Sequence, residues 1–178
     1  LVYQNQRINK TTLNNLKGEF TMQKIIPCLW FDGRVEEAIN FYTSLFKNSK
    51  IKNVSHYGEG AHQPAGTILV ATFELAGQEF MILNGGPMFK LTEAISLSVS
   101  CETQEEVDFY WEKLTGDGGE ESQCGWLKDN FGLSWQIVPT VLNKMIQDTD
   151  SKKANNVMAA LMQMKKLDIK KLEQAYNQ

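Results

Sequence analysis

Glu36-Glu37-Ala38-Ile39-Asn40-Phe41-Tyr42 and Glu105-Glu106-Val107-Asp108-Phe109-Tyr110 are two versions of one short pattern. Each opens with paired acids, which suit the positive N-terminal end of a helix, and continues with apolar residues at helical spacing. Around the first copy, Lys24–Phe31 is apolar and reads as a buried strand, Asp32-Gly33 signals a turn, and Arg34–Phe46 reads as a helix with Val35, Ala38, Ile39, Tyr42, Leu45 and Phe46 on one stripe. Ile51–Tyr57 alternates as a strand. Gly58–Gly66 reads as a loop, and Thr67–Leu75 and Gln78–Leu83 read as a hairpin about Ala76-Gly77. Around the second copy, Ala94–Cys101 reads as a strand and Thr103–Leu114 as a helix opened by a Thr103/Glu106 capping box. After the Gly116–Gly119 turn, Ser122–Asp129 and Ser134–Val138 read as strands flanking Asn130-Phe131-Gly132.

A second match ties the ends of the copies. Gly77-x-x-Phe80-x-Ile82 reappears as Gly132-x-x-Trp135-x-Ile137, nearer its helix because loop length has been lost. Element order and local matches together predict a duplicated α+β fold of β-α-β-β-β units. Module one would occupy 22–87, ending at Asn84-Gly85-Gly86-Pro87, and module two 90–139, together a fold over 22–139. Beyond Pro139, Val141–Ile146, Asn155–Met164 and Asp168–Tyr176 predict a helical extension over 140–178, with Met158, Leu161, Met162 and Met164 as its packing face.

The 178 residues carry a net charge of −3, with 42% hydrophobic residues. That is the balance of an ordinary globular domain, without a basic footprint for nucleic acid. Ile25–Phe31, the longest apolar run, is too short to span a membrane. Two histidines, His56 and His62, and three cysteines, Cys28, Cys101 and Cys124, argue against a zinc cluster or a disulfide framework. A cytoplasmic setting is expected. Residues 1–21 are basic and polar, with no secretory core, and read as a leader outside the fold. Lys17-Gly18-Glu19 can be encoded by a purine-rich ribosome-binding sequence upstream of Met22. A native start at Met22 in a bacterium is therefore expected.

Three stretches carry a family resemblance. They are Ile26-Pro27-Cys28-Leu29-Trp30-Phe31-Asp32-Gly33 with Glu36-Glu37-Ala38 and Phe41-Tyr42; Leu83-Asn84-Gly85-Gly86-Pro87; and Cys124-Gly125-Trp126-Leu127-Lys128-Asp129-Asn130-Phe131-Gly132-Leu133-Ser134-Trp135-Gln136-Ile137-Val138-Pro139. From Met22 to about the C-terminus, tail included, the chain resembles PhnB-like, demethylubiquinone methyltransferase-like proteins of the glyoxalase/bleomycin-resistance (vicinal oxygen chelate) superfamily. The resemblance implies two βαβββ modules with curved mixed sheets around a cavity, and a homodimer.

In metal-dependent relatives, the first and last strands of each module supply ligands. The resemblance carries these positions to Pro27, Met81, Ala94 and Gln136, of which only Gln136 has a suitable oxygen, so no metal and no cofactor is expected. A doubly wound nucleotide site would need a glycine-rich turn after a first strand, which neither Gly85-Gly86 nor Gly118-Gly119 provides. The ligand expected is a small organic molecule. Cavity candidates are Leu29, Phe31, Asn84, Ser96, Ser98, Trp126, Trp135 and Gln136, with Pro27, Leu29 and Phe31 sharing one strand face. Gln136 and Cys124 are the candidates for catalysis. Cys124 also reads as a packing residue, and Cys28 and Cys101 as small core residues. Three functions stay open: binding alone, an enzyme of the vicinal oxygen chelate class, and a methyltransferase.

Overall fold

A computed structural model describes residues 23–178, so the leader and the Met22 start lie outside the described residues. The predicted repeat is present. Module one runs β1 (Cys28–Phe31), α1 (Val35–Leu45), β2 (Lys50–His56), β3 (Ile68–Leu75) and β4 (Gln78–Asn84). Module two runs β5 (Ser96–Cys101), α2 (Gln104–Thr115), β6 (Glu120–Glu121), β7 (Trp126–Lys128) and β8 (Ser134–Pro139). The sheets have orders β1-β4-β3-β2 and β5-β8-β7-β6, so each strand of one has its counterpart in the other. In both, the first and last strands are parallel and the other pairs antiparallel. Gly77 and Gly132, matched in sequence, enter the last strands at φ +87° and +86°, a left-handed turn that glycine makes without steric cost.

The second copy differs where the sequence reading was coarse. Ser122–Asp129 does not form one strand. Cys124 takes a left-handed φ of 58° and Gly125 follows at +84°, which breaks the run into a turn and the short β7. The missing fourth strand is β6, two acidic residues after a 3-10 turn, too short for a hydrophobic pattern.

Both sheets turn one face toward the helices. Leu29, Phe31, Ala71, Phe73, Phe80 and Ile82 are buried under α1, and Cys101, Leu127, Trp135 and Ile137 under α2. These residues make one core rather than two. Phe46 of module one stacks on Tyr110 at 5.0 Å and on Trp135 at 5.6 Å, both from module two. The opposite face of each sheet is only half covered.

The extension forms α3 (Thr140–Ile146), α4 (Ser151–Leu161) and α5 (Ile169–Tyr176) around Leu142, Met145, Val157, Leu161, Met164, Leu167 and Leu172. Two residues of its expected packing face point outward instead: Met158 and Met162 are exposed, since α4 ends at Leu161 and buries Val157 in their place. Asp150 and Asp168 cap α4 and α5, accepting from Lys152 and Lys171 N–H groups at 3.0 Å. The loop between these helices docks on module two. Cys124 N–H donates to the Met164 carbonyl at 2.7 Å, and Gly125 N–H to Lys165 at 2.8 Å.

Candidate functional site

Register decides which candidates can act together. Ser96 pairs with Ser134 and Ser98 with Gln136 across β5 and β8, while Trp126 pairs with Gln136 and Lys128 with Ser134 across β7 and β8. These side chains therefore share the face of the second sheet turned away from α2. Four candidates, Ser96, Ser98, Trp126 and Gln136, are brought together there. Gln136 Nε2 donates to Ser96 Oγ at 2.8 Å, which orients the amide. Beside them Glu93 forms an ion pair with Lys128. The pairing holds the Glu93 carboxyl below its ordinary range and lifts the Lys128 ammonium.

Under that ion pair is a hollow of about 170 Å³, lined by Ser134, Trp126, Lys128, Glu93, Glu120 and Glu121. Ser134 is buried in its wall, and its Oγ has no hydrogen-bond partner among the described residues. A buried hydroxyl without a partner is uncommon, because it forgoes the hydrogen bonds it would make in water. Sequence reading missed Ser134, since nothing in a lone serine at a strand start marks it.

The other candidates lie elsewhere. Leu29, Phe31 and Trp135 belong to the helix-facing core, and Phe31 also lines the cleft where β1 meets the Asn130-Phe131-Gly132 turn. Asn84 is a buried joint: its Oδ1 accepts from Gly33 N–H at 2.9 Å and its Nδ2 donates to the Ile68 carbonyl at 3.1 Å. Cys124 sits in the left-handed turn, its sulfur 3.6 Å from the Met162 thioether. The nearest cation in sequence, Lys128, is bound to Glu93.

The other two cysteines differ from each other. Cys28 is exposed rather than core, because β1 presents it with Met81 on the uncovered face. Cys101 is buried, and burial, with Glu106 nearby, pushes its thiol up to about 12. Thiolate is the reacting form, so a brief iodoacetamide treatment of the native protein should spare Cys101 until denaturant is added. Peptide mass mapping reads the result, and prompt labelling of Cys101 would contradict this burial.

The register also corrects the four positions carried over from metal-binding relatives. Met81 faces with Cys28, not Pro27, and Gln136 faces with Ser98, while Ala94 precedes β5. The shared faces thus offer a thiol and a thioether on one sheet and a hydroxyl and an amide on the other. Lacking carboxylate and imidazole, these four do not suit a hard or borderline divalent ion. A nucleotide-type turn fares no better. β1 passes through Asp32-Gly33 straight into α1, and Gly85 lies under the Trp30 indole, where a Cβ would come within 2.3 Å of the ring.

Asp129, unmarked in the sequence reading, is the most heavily bonded polar group described. Buried at 3% exposure, its carboxylate accepts from Tyr42 Oη (2.7 Å), Trp135 Nε1 (2.8 Å), Phe131 N–H (2.9 Å) and Leu133 N–H (3.0 Å). Burial lifts its carboxyl above the ordinary range, while the four donors pull it back. Tyr42 comes from α1, so this carboxylate joins the modules. The available signal was indirect: a buried indole N–H and a buried phenol both need an acceptor.

Comparison with known proteins follows the same lines. The family described as 3-demethylubiquinone-9 3-methyltransferase matches residues 23–138, ending before the helical extension, which the resemblance had been expected to include. A solved structure titled putative 3-demethylubiquinone-9 3-methyltransferase, PhnB protein, from Bacillus cereus is 43% identical. It aligns over 66% of this chain and 100% of its own length, with TM-score 0.62. A Pseudomonas aeruginosa protein shares the fold at 20% identity (66% of this chain, 98% of that one, TM-score 0.55). So does a genomically encoded fosfomycin resistance protein of Listeria monocytogenes, at 16% identity (73% and 100%, TM-score 0.53). No curated protein matches. The two βαβββ modules, the open mixed sheets and this match agree: the fold is glyoxalase-like, and the chain belongs to the PhnB-like family described as 3-demethylubiquinone-9 3-methyltransferase.

Proposed function

We propose that this protein is a cytoplasmic homodimer that binds a small polar organic molecule on the open face of β5, β8 and β7. The unpartnered Ser134 hydroxyl, beside the oriented Gln136 amide and the Trp126 ring, is the observation that carries the reading. A hydroxyl and an indole line the small hollow, and the Gln136 amide stands two residues along on the same strand face, so hydrogen bonds and an apolar surface are offered together, as at small-molecule sites. Pairing of two copies is supported by the strand edges. β1 and β5 each have a neighbour on one side only, and Met81 and Leu83 lie half-buried on the first sheet's open face. A second copy would cover such edges and faces. Among the described residues, no helix is long and apolar enough to cross a membrane.

Native mass spectrometry of protein purified from its own host, with elemental analysis of the same sample, tests this reading. A dimer carrying an organic adduct that Gln136→Ala and Ser134→Ala weaken is the expected result. A bare monomer, or a stoichiometric divalent metal, would overturn it.

A further inference from the structure

We propose that the cleft between the two modules is a second binding site, built for a flat aromatic ring. The cleft measures about 380 Å³ and lies where the end of β1 and the following turn meet the Asn130-Phe131-Gly132 turn of module two. It is separate from the open face of β5, β8 and β7.

Its aromatic walls are fixed in advance. The Trp30 indole lies against Gly85 and donates its N–H to the Gly86 carbonyl at 2.8 Å. Phe89 meets Trp30 edge to face, centroids 4.9 Å apart, yet remains 58% exposed. On the module-two side, Phe131 is anchored through its N–H to Asp129, and the Arg34 guanidinium sits 4.4 Å from its ring centroid. That guanidinium is itself pinned, by the Glu37 carboxylate and by the Asn130 carbonyl at 3.0 Å. Arg34 holds this place from a left-handed backbone, φ 52°, that residues other than glycine seldom adopt. The buried Asn130 Oδ1, in the same lining, has no partner among the described residues.

An exposed phenylalanine, an immobilised indole and a stacked guanidinium share one preference. Each gains more from a π-system than from a saturated group of equal size, through edge-to-face and stacking contacts. The volume lies near the lower end of small-molecule sites, about 300 to 1,000 Å³, which suits one or two fused rings. Because Trp30, Phe131 and Arg34 are held by protein bonds before any ligand arrives, little beyond the Phe89 ring remains to be ordered on binding.

The test uses the full chain with 2-naphthol and its saturated counterpart, decahydro-2-naphthol. Binding is followed through the tryptophan indole N–H resonances, with that of Trp30 identified by Trp30→Phe. The expected result is a 2-naphthol-dependent shift of the Trp30 resonance and an affinity about tenfold above that of the saturated compound. Phe89→Ala removes an exposed side chain outside the core, and should weaken 2-naphthol by up to about tenfold. Equal affinity for the two compounds, absence of binding, shifts centred on Trp126, or an unchanged affinity in Phe89→Ala would each overturn the proposal.

Discussion

Replacing Asp129 with asparagine is expected to lower stability by about 3 kcal/mol, the low end for breaking a buried charged network. The carboxylate accepts four hydrogen bonds, from Tyr42, Trp135, Phe131 and Leu133. The amide keeps one acceptor oxygen and turns an NH2 group toward two of the donors; an indole or backbone N–H cannot accept from it, and the Tyr42 hydroxyl accepts only by giving up its own donation. In a fold of this size the loss corresponds to a fall in Tm of roughly 6–12 °C. Urea unfolding of the wild type, Asp129→Asn, Tyr42→Phe and the double variant measures it. Because Tyr42 and Asp129 share a bond, the two effects should add to less than their sum. A loss under about 1 kcal/mol, small for charged hydrogen bonds, would mean the carboxylate does not join the modules. The pH dependence has a definite sign. The folded-state carboxyl titrates above its unfolded value, so the wild type gains stability from this group as pH falls through the folded pKa, and loses it as pH rises. Asparagine does not titrate. The stability gap should therefore widen on acidification through that range. A gap that narrows would show that the four donors outweigh burial.

The second large effect is expected at Gly125. A Cβ there would lie 2.9 Å from the Ile137 carbonyl oxygen and 3.1 Å from the Leu167 side chain, at a φ of +84°. The left-handed backbone alone costs an alanine about 1–2 kcal/mol. The Ile137 oxygen is main chain and accepts no displacement without moving β8. A total near 3 kcal/mol is expected for Gly125→Ala, within the usual range of overpacking penalties added to that cost. The damage should be local in a telling way. Gly125 and Cys124 donate to Lys165 and Met164, so hydrogen exchange should rise first in the loop around 162–168 and in α5. Uniform acceleration throughout the chain, or none, would contradict this account of how the extension is held.

Much of this architecture is legible in the amino-acid sequence. The paired acids at 36–37 and 105–106 and the glycines at 77 and 132 mark corresponding places in two copies, and periodicity gave most elements within a few residues. The parts that escaped are those governed by pairing rather than pattern. β6 is two glutamates, and only its ladder with Leu127 and Lys128 makes it a strand. At the candidate site, alternation correctly placed Ser96 and Ser98 together. It could not set the register between strands, so Leu29 was expected in a cavity although it packs in the helix-side core, while Phe31, in that core too, also reaches the cleft between the modules. Trp135 was drawn to the same expectation, although its indole is held by Asp129 within the core. Ser134 and Asp129 share a different obscurity. Their significance is a bond absent in one case and multiplied in the other, and neither is a property of the residue type.

The aromatic contacts of Phe46 and Tyr42 with Tyr110 and Trp135 have a consequence for how the two halves fold. A repeat in sequence invites the picture of two independent folding units laid end to end. Here the interior of each half is completed by side chains of the other, so neither half retains a finished core if the chain is divided after Pro87. A single unit on its own would have to find that missing interior in a second copy of itself. Joining the two in one chain makes that encounter intramolecular, so completing the core no longer depends on concentration.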